Sequence, residues 1–479
     1  MSWIDTLLGR LTGRKPQALS NESTGAAEET SAPGSGYVMA PREAPARQEA
    51  AASGVFPRFQ STASDRLDPQ FADRFANVRL KLRSAYTPSL PVSDRKRFAG
   101  RNEVLNAVIR ALEDQRLHII IYGDRGIGKT SLLHVLSQAA REARYIVVYV
   151  SCGEASNFND TFRAVATEIP SLYHAGVEAT DSGSEAKSTL ADMLPEEPVT
   201  PRFIADLFSK LVSTRVLIVL DEFDRVESAE FRRTVAELIK NLSDRAVRVQ
   251  LVIAGVASDL TELFEYIPSI RRNVFALQVP KMEAAEIRHL VNTGEQTSGI
   301  SFEGPATDFV VFVAHGSPYL ASLLSHHAGL AALDNARTGV NTEDVTLGID
   351  RALDELRARI SKASQLQIDQ GVSEGMRNIL GLLAGAALFA GGRFSAADID
   401  ALYTNPADAA KCKGLISNLA SHKVLVEASD QLGKGYRFLE GSVPAYLWIT
   451  VARKRFLKSQ KTAASEPSPE APAETAVGA

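Results

Sequence analysis

The segment Gly123-Asp-Arg-Gly-Ile-Gly-Lys-Thr130 constrains this chain more than any other stretch. It fits the pattern GxxxxGK[ST]. Glycines at those spacings let successive backbone N–H groups wrap an anion, and the helix that follows adds the positive end of its dipole. The pattern gains force from its setting, because Leu117 to Tyr122 is a short apolar run and residues 129–142 have helical periodicity. A strand, loop and helix in that order predict that Gly123, Asp124, Arg125, Gly126, Ile127, Gly128, Lys129, Thr130 and Ser131 hold the phosphates of a nucleotide. Lys129 is expected on the β- and γ-phosphates and the Thr130 hydroxyl on Mg2+.

A second motif completes the expectation. Val216-Leu-Ile-Val-Leu-Asp-Glu222 is an apolar strand ending in two acids. Asp221 is expected to hold Mg2+, directly or through water, and Glu222 to polarise the attacking water. Buried strands also end in acids for solubility alone, and the pairing with the phosphate loop argues against that here. Arg271 and Arg272 stand immediately before a later apolar run, Val274 to Val279. One of them is expected to reach the γ-phosphate of a neighbouring subunit, the alternative being an ordinary surface pair.

Composition narrows the class. The chain has 479 residues, 53 Lys+Arg against 57 Asp+Glu, and only two cysteines, Cys152 and Cys412. The charge balance excludes a wholesale nucleic-acid coat. The cysteines make neither a disulfide framework nor a zinc cluster, and a reducing cytoplasm fits them best. No apolar run approaches the ~20 residues a membrane-spanning helix needs. His326 and His327 lack acidic or cysteine neighbours at metal-ligand spacing and read as a helix surface.

Along the chain, Trp3, Ile4, Leu7, Leu8 and Leu11 share one helical face, with Arg10, Arg14 and Lys15 at its far end. Residues 1–15 therefore read as an amphipathic helix for a membrane surface or a partner, or one that packs on its own domain. Residues 16–63 are rich in Ala, Glu, Ser, Pro and Gly and read as a disordered linker, as does a tail at 462–479. Between these lies an α/β domain at 64–280 (core 90–280), with helical patterns alternating with strands at 117–122, 145–150, 216–220, 249–254 and 274–279. That rhythm predicts a mostly parallel sheet covered by helices. The polar stretch 176–200 reads as an exposed insertion. Helical patterns at 284–293, 306–315, 319–333 and 342–360 make a helical domain at 281–365. Residues 370–450 read as three helices (the second at 395–403, the third at 409–422) closed by strands at 424–427 and 436–439, the winged-helix pattern.

The order Phe98-Ala-Gly-Arg-Asn-Glu103, phosphate loop, paired acids, pre-strand arginines, helical lid and winged helix resembles the AAA+ and STAND-type P-loop ATPases. It looks most like the branch shared with the origin-recognition (Orc/Cdc-like) initiators, over about residues 90 to 450. The resemblance implies a P-loop NTPase fold with lid and winged helix, ATP and Mg2+ as cofactors, and assembly into a homo-oligomer when ATP is bound. It places Arg101 in the adenine-side loop and Pro318 of Gly316-Ser-Pro318 against the adenine. Tyr319 stands where initiators carry a lid arginine, which favours a slow nucleotide-gated switch over a motor. Ser258 is the candidate polar sensor after the fourth strand.

Two function classes compete. One is an ATP-gated switch or scaffold that self-associates and engages a protein partner, cytoplasmic or peripheral at a membrane through residues 1–15. The other is an initiator-like or transposition-like ATPase on DNA. Its expected contacts are Lys411, Lys413, Asn418 and Lys423 of the third helix, Lys434 and Arg437 of the wing, and the basic run Arg453, Lys454, Arg455, Lys458 and Lys461.

Overall fold

The computed structural model describes residues 75–88, 90–92, 98, 100–176, 188–257, 260–264, 270–389, 393–395, 406–430 and 433–465. The expected terminal helix at 1–15, the linker at 16–63, most of the tail, Ser258 and the second helix of the winged-helix pattern lie outside these residues. The chain divides into two compact units, Met1–Asn77 and Val78–Ala479. Among the described residues every strand belongs to the second unit, as does every helix apart from the first two residues of the earliest.

Helix α1 (Ala76–Ala85) precedes α2 (Asn102–Glu113), and β1 (His118–Gly123) then runs through the loop into α3 (Lys129–Glu142). Strand β2 (Ile146–Ser151), α4 (Phe158–Thr167), α5 (Pro201–Ser209), β3 (Val216–Asp221), α6 (Ala229–Asp244), β4 (Val249–Val256), the single turn α7 (Leu260–Leu263) and β5 (Val274–Gln278) complete the α/β domain. The sheet order is β2-β3-β4-β1-β5 and every pairing in it is parallel. A parallel sheet buried on both faces needs apolar residues on both sides of each strand. Here Ile120, Ile218, Leu220 and Ile253 pack under α4, α5 and α6. Their alternates Ile119, Ile121, Leu217, Val219 and Val252 pack under α2 and α3. Each strand thus feeds two cores, which is why its sequence shows an unbroken apolar run.

The order also places the site. β1 lies between β4 and β5, so the chain crosses to the far edge after β1 and returns through β3. Ligands of such sheets bind beyond the carboxyl ends of the strands, where the winding direction reverses. The phosphate loop leaves β1 there, and the two acids leave β3 nearby, with only β4 between the two strands.

The helical domain contains α8 (Ala284–Ser298), β6 (Ser301–Phe302), α9 (Gly304–Ala314), α10 (Pro318–Asp334), β7 (Gly339–Val340) and α11 (Thr342–Ala358). α10 and α11 cross closely, since a Cβ on Gly348 would stand 2.6 Å from the Ala328 backbone nitrogen. The start of α11 is fixed by Asn341, which caps it, and by Arg337, which bonds both oxygens of buried Asp344 at 2.9 and 2.8 Å. Tyr86 of the segment after α1 reaches in and donates its hydroxyl to the Val291 carbonyl at 2.8 Å.

After these come α12 (Lys362–Ser373), α13 (Arg377–Phe389), β8 (Arg393–Ser395), α14 (Pro406–Ser421), β9 (Leu425–Asp430), β10 (Gly433–Phe438) and α15 (Ser442–Ser465). β8, β10 and β9 form an antiparallel sheet. α15 binds this unit to the helical domain: Trp448 donates to the Val313 carbonyl at 2.9 Å, and Phe456 stacks on Phe309 at 4.1 Å.

Four sequence expectations change. The later part of the expected insertion is packed, with Leu190 and Val199 buried in the core, because sparse apolar residues suffice when a neighbouring helix covers them. Ser395, expected to open a helix, ends β8 and pairs with Gly435. α15 runs to Ser465, four residues into the tail expected at 462–479. His326 and His327 are half-buried and not on an open helix surface; His327 pairs with Glu355 at 2.9 Å.

Candidate nucleotide site

The loop from β1 to α3 takes its path from three glycines with positive φ: Gly123 at 144°, Gly126 at 74° and Gly128 at 94°. Side chains there would also collide, since a Cβ on Gly123 would sit 3.1 Å from the Val279 carbonyl and one on Gly126 would sit 3.3 Å from Tyr319. The backbone can fold tightly only without them. Lys129, buried at the helix start, turns its ammonium back onto the Gly123 and Asp124 carbonyls at 2.9 and 2.8 Å. Burial pulls its pKa down to about 8 against the opposing pull of Asp224, Asp124 and Asp221.

Asp221 ends β3 almost wholly buried, its Oδ1 accepting the Glu222 N–H at 2.8 Å and its Oδ2 the Tyr149 hydroxyl at 2.6 Å. Burial first, then the bond to Asp221, pushes the Tyr149 phenol well above its usual range and keeps it a donor. Glu222 has left-handed backbone, φ 55°. Its Oε2 accepts from Arg225 at 3.0 Å and from the Ser151 hydroxyl at 3.2 Å. Asp224 turns toward β4, where its Oδ1 accepts the Val256 N–H at 2.8 Å.

Gly126, Gly128, Lys129, Asp221, Glu222 and Asp224 share one cleft of about 650 Å³ with Arg101, Arg125, Thr130, Ser131, Arg225, Pro318 and Tyr319. Its apolar lining includes Leu90, Pro91, Val92, Phe98, Met282 and Leu290. Sequence reasoning missed Leu90, Pro91, Val92, Met282 and Leu290, and Tyr149, Ser151 and Arg225 as well. The one available signal was the apolar and proline content of the stretch before Phe98.

The expected phosphate residues and both acids are brought together. Pro318 opens α10 beside the loop, 3.6 Å from the Cβ position of Gly128. Arg101 lines the cleft but its guanidinium faces protein, donating to the Ile127 and Pro280 carbonyls, and burial lowers its pKa to about 10. Ser131 accepts the Val92 N–H at 3.1 Å, which fastens the preceding segment over the loop. Tyr319 receives the Arg359 guanidinium at 3.3 Å, so an arginine does stand at this corner of the helical domain. Arg271 and Arg272 are exposed at the start of β5. That is the opposite end of the sheet from the loop, a strand length of ~15–20 Å at ~3.3 Å per residue.

The donors fit a nucleotide with Mg2+. A hydroxyl and a carboxylate, Thr130 and Asp221, are the hard oxygen ligands Mg2+ takes when phosphates supply the rest. Among the described residues no group of three or more His, Cys, Asp or Glu is placed to hold a metal by itself.

Residues 97–253 match the family described as the AAA ATPase domain. The chain carries an AAA ATPase domain. That domain spans β1 to β4 and so contains the phosphate loop and both acids. No curated protein matches the sequence. Among solved structures, the chain is similar to the ORC2 protein of Aeropyrum pernix in its ADPNP–ADP complexes, at 18% identity, covering 79% of this chain and 98% of that one, with a TM-score of 0.41. It is similar to a Walker-type ATPase of Pyrococcus abyssi at 17% identity, covering 75% and 98%, with a TM-score of 0.43. The Thermotoga maritima RuvB Holliday junction branch migration motor matches at 17%, covering 78% and 98%, with a TM-score of 0.39.

Proposed function

We propose that this chain binds and slowly hydrolyses ATP with Mg2+, and that the nucleotide state switches its self-association and its hold on a partner. The observation that supports this reading best is the convergence of Gly126, Gly128, Lys129 and Thr130 of the loop with Asp221 and Glu222 in one cleft. In this reading the loop and Lys129 bind the phosphates, Thr130 and Asp221 hold Mg2+, and the apolar side chains of the cleft take the base. Mg2+, when bound, neutralises charge on the phosphoryl oxygens. Glu222 orients the attacking water once it leaves Arg225 and Ser151. Both partners are weak: the ion pair is about half exposed on each side, and such pairs contribute ~0–1 kcal/mol. Arg271 or Arg272 serves the cleft of a second copy.

The remaining elements of this proposal are a cytoplasmic protein tethered to a partner or membrane surface by residues 1–15, and a winged helix at 370–450 that binds protein. Among the described residues no helix is long and apolar enough to cross a membrane. The alternative, DNA binding through that winged helix, draws support from the exposed Lys411, Lys413 and Arg437. It loses Arg453, which pairs with Asp350 of α11.

Turnover and size-exclusion mass with ADP and with ATP test the reading, for the wild type, Lys129→Ala and Glu222→Gln. Lys129→Ala should weaken nucleotide binding, and Glu222→Gln should bind ATP and accumulate the assembled form. If neither substitution alters turnover or assembly, the switch reading fails. Salt-dependent retention on duplex DNA would favour the alternative, and loss of localisation without residues 1–15 the tether.

A further inference from the structure

The two acids of β3 are both held from β2. Tyr149 and Ser151 alternate on that strand, in register with Val219 and Asp221. Ser151 reaches Glu222, while Tyr149 takes Asp221 with the shorter bond, 2.6 Å against 3.2 Å. With the Glu222 N–H on Oδ1 and the Tyr149 hydroxyl on Oδ2, the carboxylate of Asp221 is pinned at both oxygens, which fixes its plane. Each oxygen retains a further lone pair. The Cys152 N–H, bound to the Asp221 carbonyl at 2.8 Å, holds the backbone beneath it.

Tyr149 is itself located. The His134 ring stacks on it at 4.9 Å, with the planes 12° apart. His134 lies on α3, four residues beyond Thr130, one turn along the same helix. One aromatic pair therefore ties the helix that carries Thr130 to the strand end that carries Asp221.

We propose that Tyr149 is a positioning residue for the Mg2+ site: it fixes the rotamer of Asp221 and, through His134, the spacing between Asp221 and Thr130. This role rests on the reading of the cleft as a magnesium–nucleotide site. Outer partners that orient a ligand group typically govern metal affinity ~10–100-fold, because without them the ligand must be ordered when the metal binds. The bare nucleotide, held by the loop and Lys129, does not depend on that ordering.

The test is equilibrium dialysis of a radiolabelled, non-hydrolysable ATP analogue against the full chain, across a Mg2+ series and in EDTA. Tyr149→Phe, which removes one oxygen and keeps the ring, should raise the half-saturating Mg2+ concentration ~10-fold or more and leave affinity in EDTA unchanged. Saturating Mg2+ should restore its kcat for ATP. His134→Ala should shift the same midpoint in the same direction by less. Lys129→Ala should weaken binding in EDTA as well, which separates phosphate contact from metal positioning. A Tyr149→Phe midpoint equal to wild type overturns the proposal, and so does an equal loss with and without Mg2+. If the wild type shows no Mg2+-dependent binding at all, the nucleotide reading falls and takes this role with it.

Discussion

His118 is sealed at the start of β1, where its Nδ1 accepts the Leu251 N–H at 2.9 Å. That bond requires the neutral ring, and burial lowers the pKa to about 4. In the unfolded chain the same group titrates near ~6.5. Between the two values the unfolded state binds more protons, so stability rises with pH and is lost on acidification from about 6.5 toward 4. The slope from this residue reaches ~1.4 kcal/mol per pH unit. Urea unfolding at pH 7, 5.5 and 4.5 should show it, and His118→Gln, which keeps an acceptor for Leu251, should flatten that interval. Equal slopes for the two proteins would remove the explanation. At this scale the loop residues and the acids were legible because each motif is contiguous. Tyr149, Ser151 and Arg225 were not, since their meeting with the acids depends on the strand beside β3 and on the turn beyond it. The direction of the Arg101 side chain was equally hidden, because its partners Ile127 and Pro280 are distant in sequence.

Among the elements, the close crossing of α10 and α11 offers a test of packing against propensity. Alanine in place of glycine favours a helix by ~1 kcal/mol. At Gly348 the added carbon would meet Ala328 backbone atoms at 2.6 and 2.9 Å, and backbone cannot swing aside. Overpacking of that kind costs ~1–3 kcal/mol, so Gly348→Ala should be net destabilising. Gly414→Ala in α14 meets nothing within 4 Å and should stabilise by up to ~1 kcal/mol. Denaturant midpoints of the two variants should move in opposite directions. The strands of the main sheet and the long helices were readable from periodicity, since each buries a regular face. What periodicity could not supply was the packing of residues 188–200 or the short β8, where three residues gain their identity from β10 alone.

For the whole molecule, the placement of Arg271 and Arg272 a strand length from their own loop makes a mixing experiment decisive. Arg271→Ala/Arg272→Ala should bind ATP normally and hydrolyse it poorly. An equimolar mixture with Glu222→Gln should regain part of the wild-type rate, because some interfaces then pair an intact arginine with an intact glutamate. Recovery absent at all ratios, with both variants assembling, would rule out service in trans. The change from alternating strands and helices to helices alone after β5 was readable from periodicity. The hold of α15 on the helical domain was not, as Trp448, Arg453 and Phe456 looked like the end of one unit and prove to be its attachment to another.

That attachment has an optical consequence. The sequence contains two tryptophans, Trp3 and Trp448. Trp448 is 5% exposed, its indole N–H is bonded to Val313, and its ring lies 5.4 Å from that of His315. With Trp3 replaced by Phe, the intrinsic emission of the chain comes from this one contact. Any separation of α15 from α9 admits water to the indole and shifts its emission to longer wavelength, so the protein carries its own gauge of domain opening.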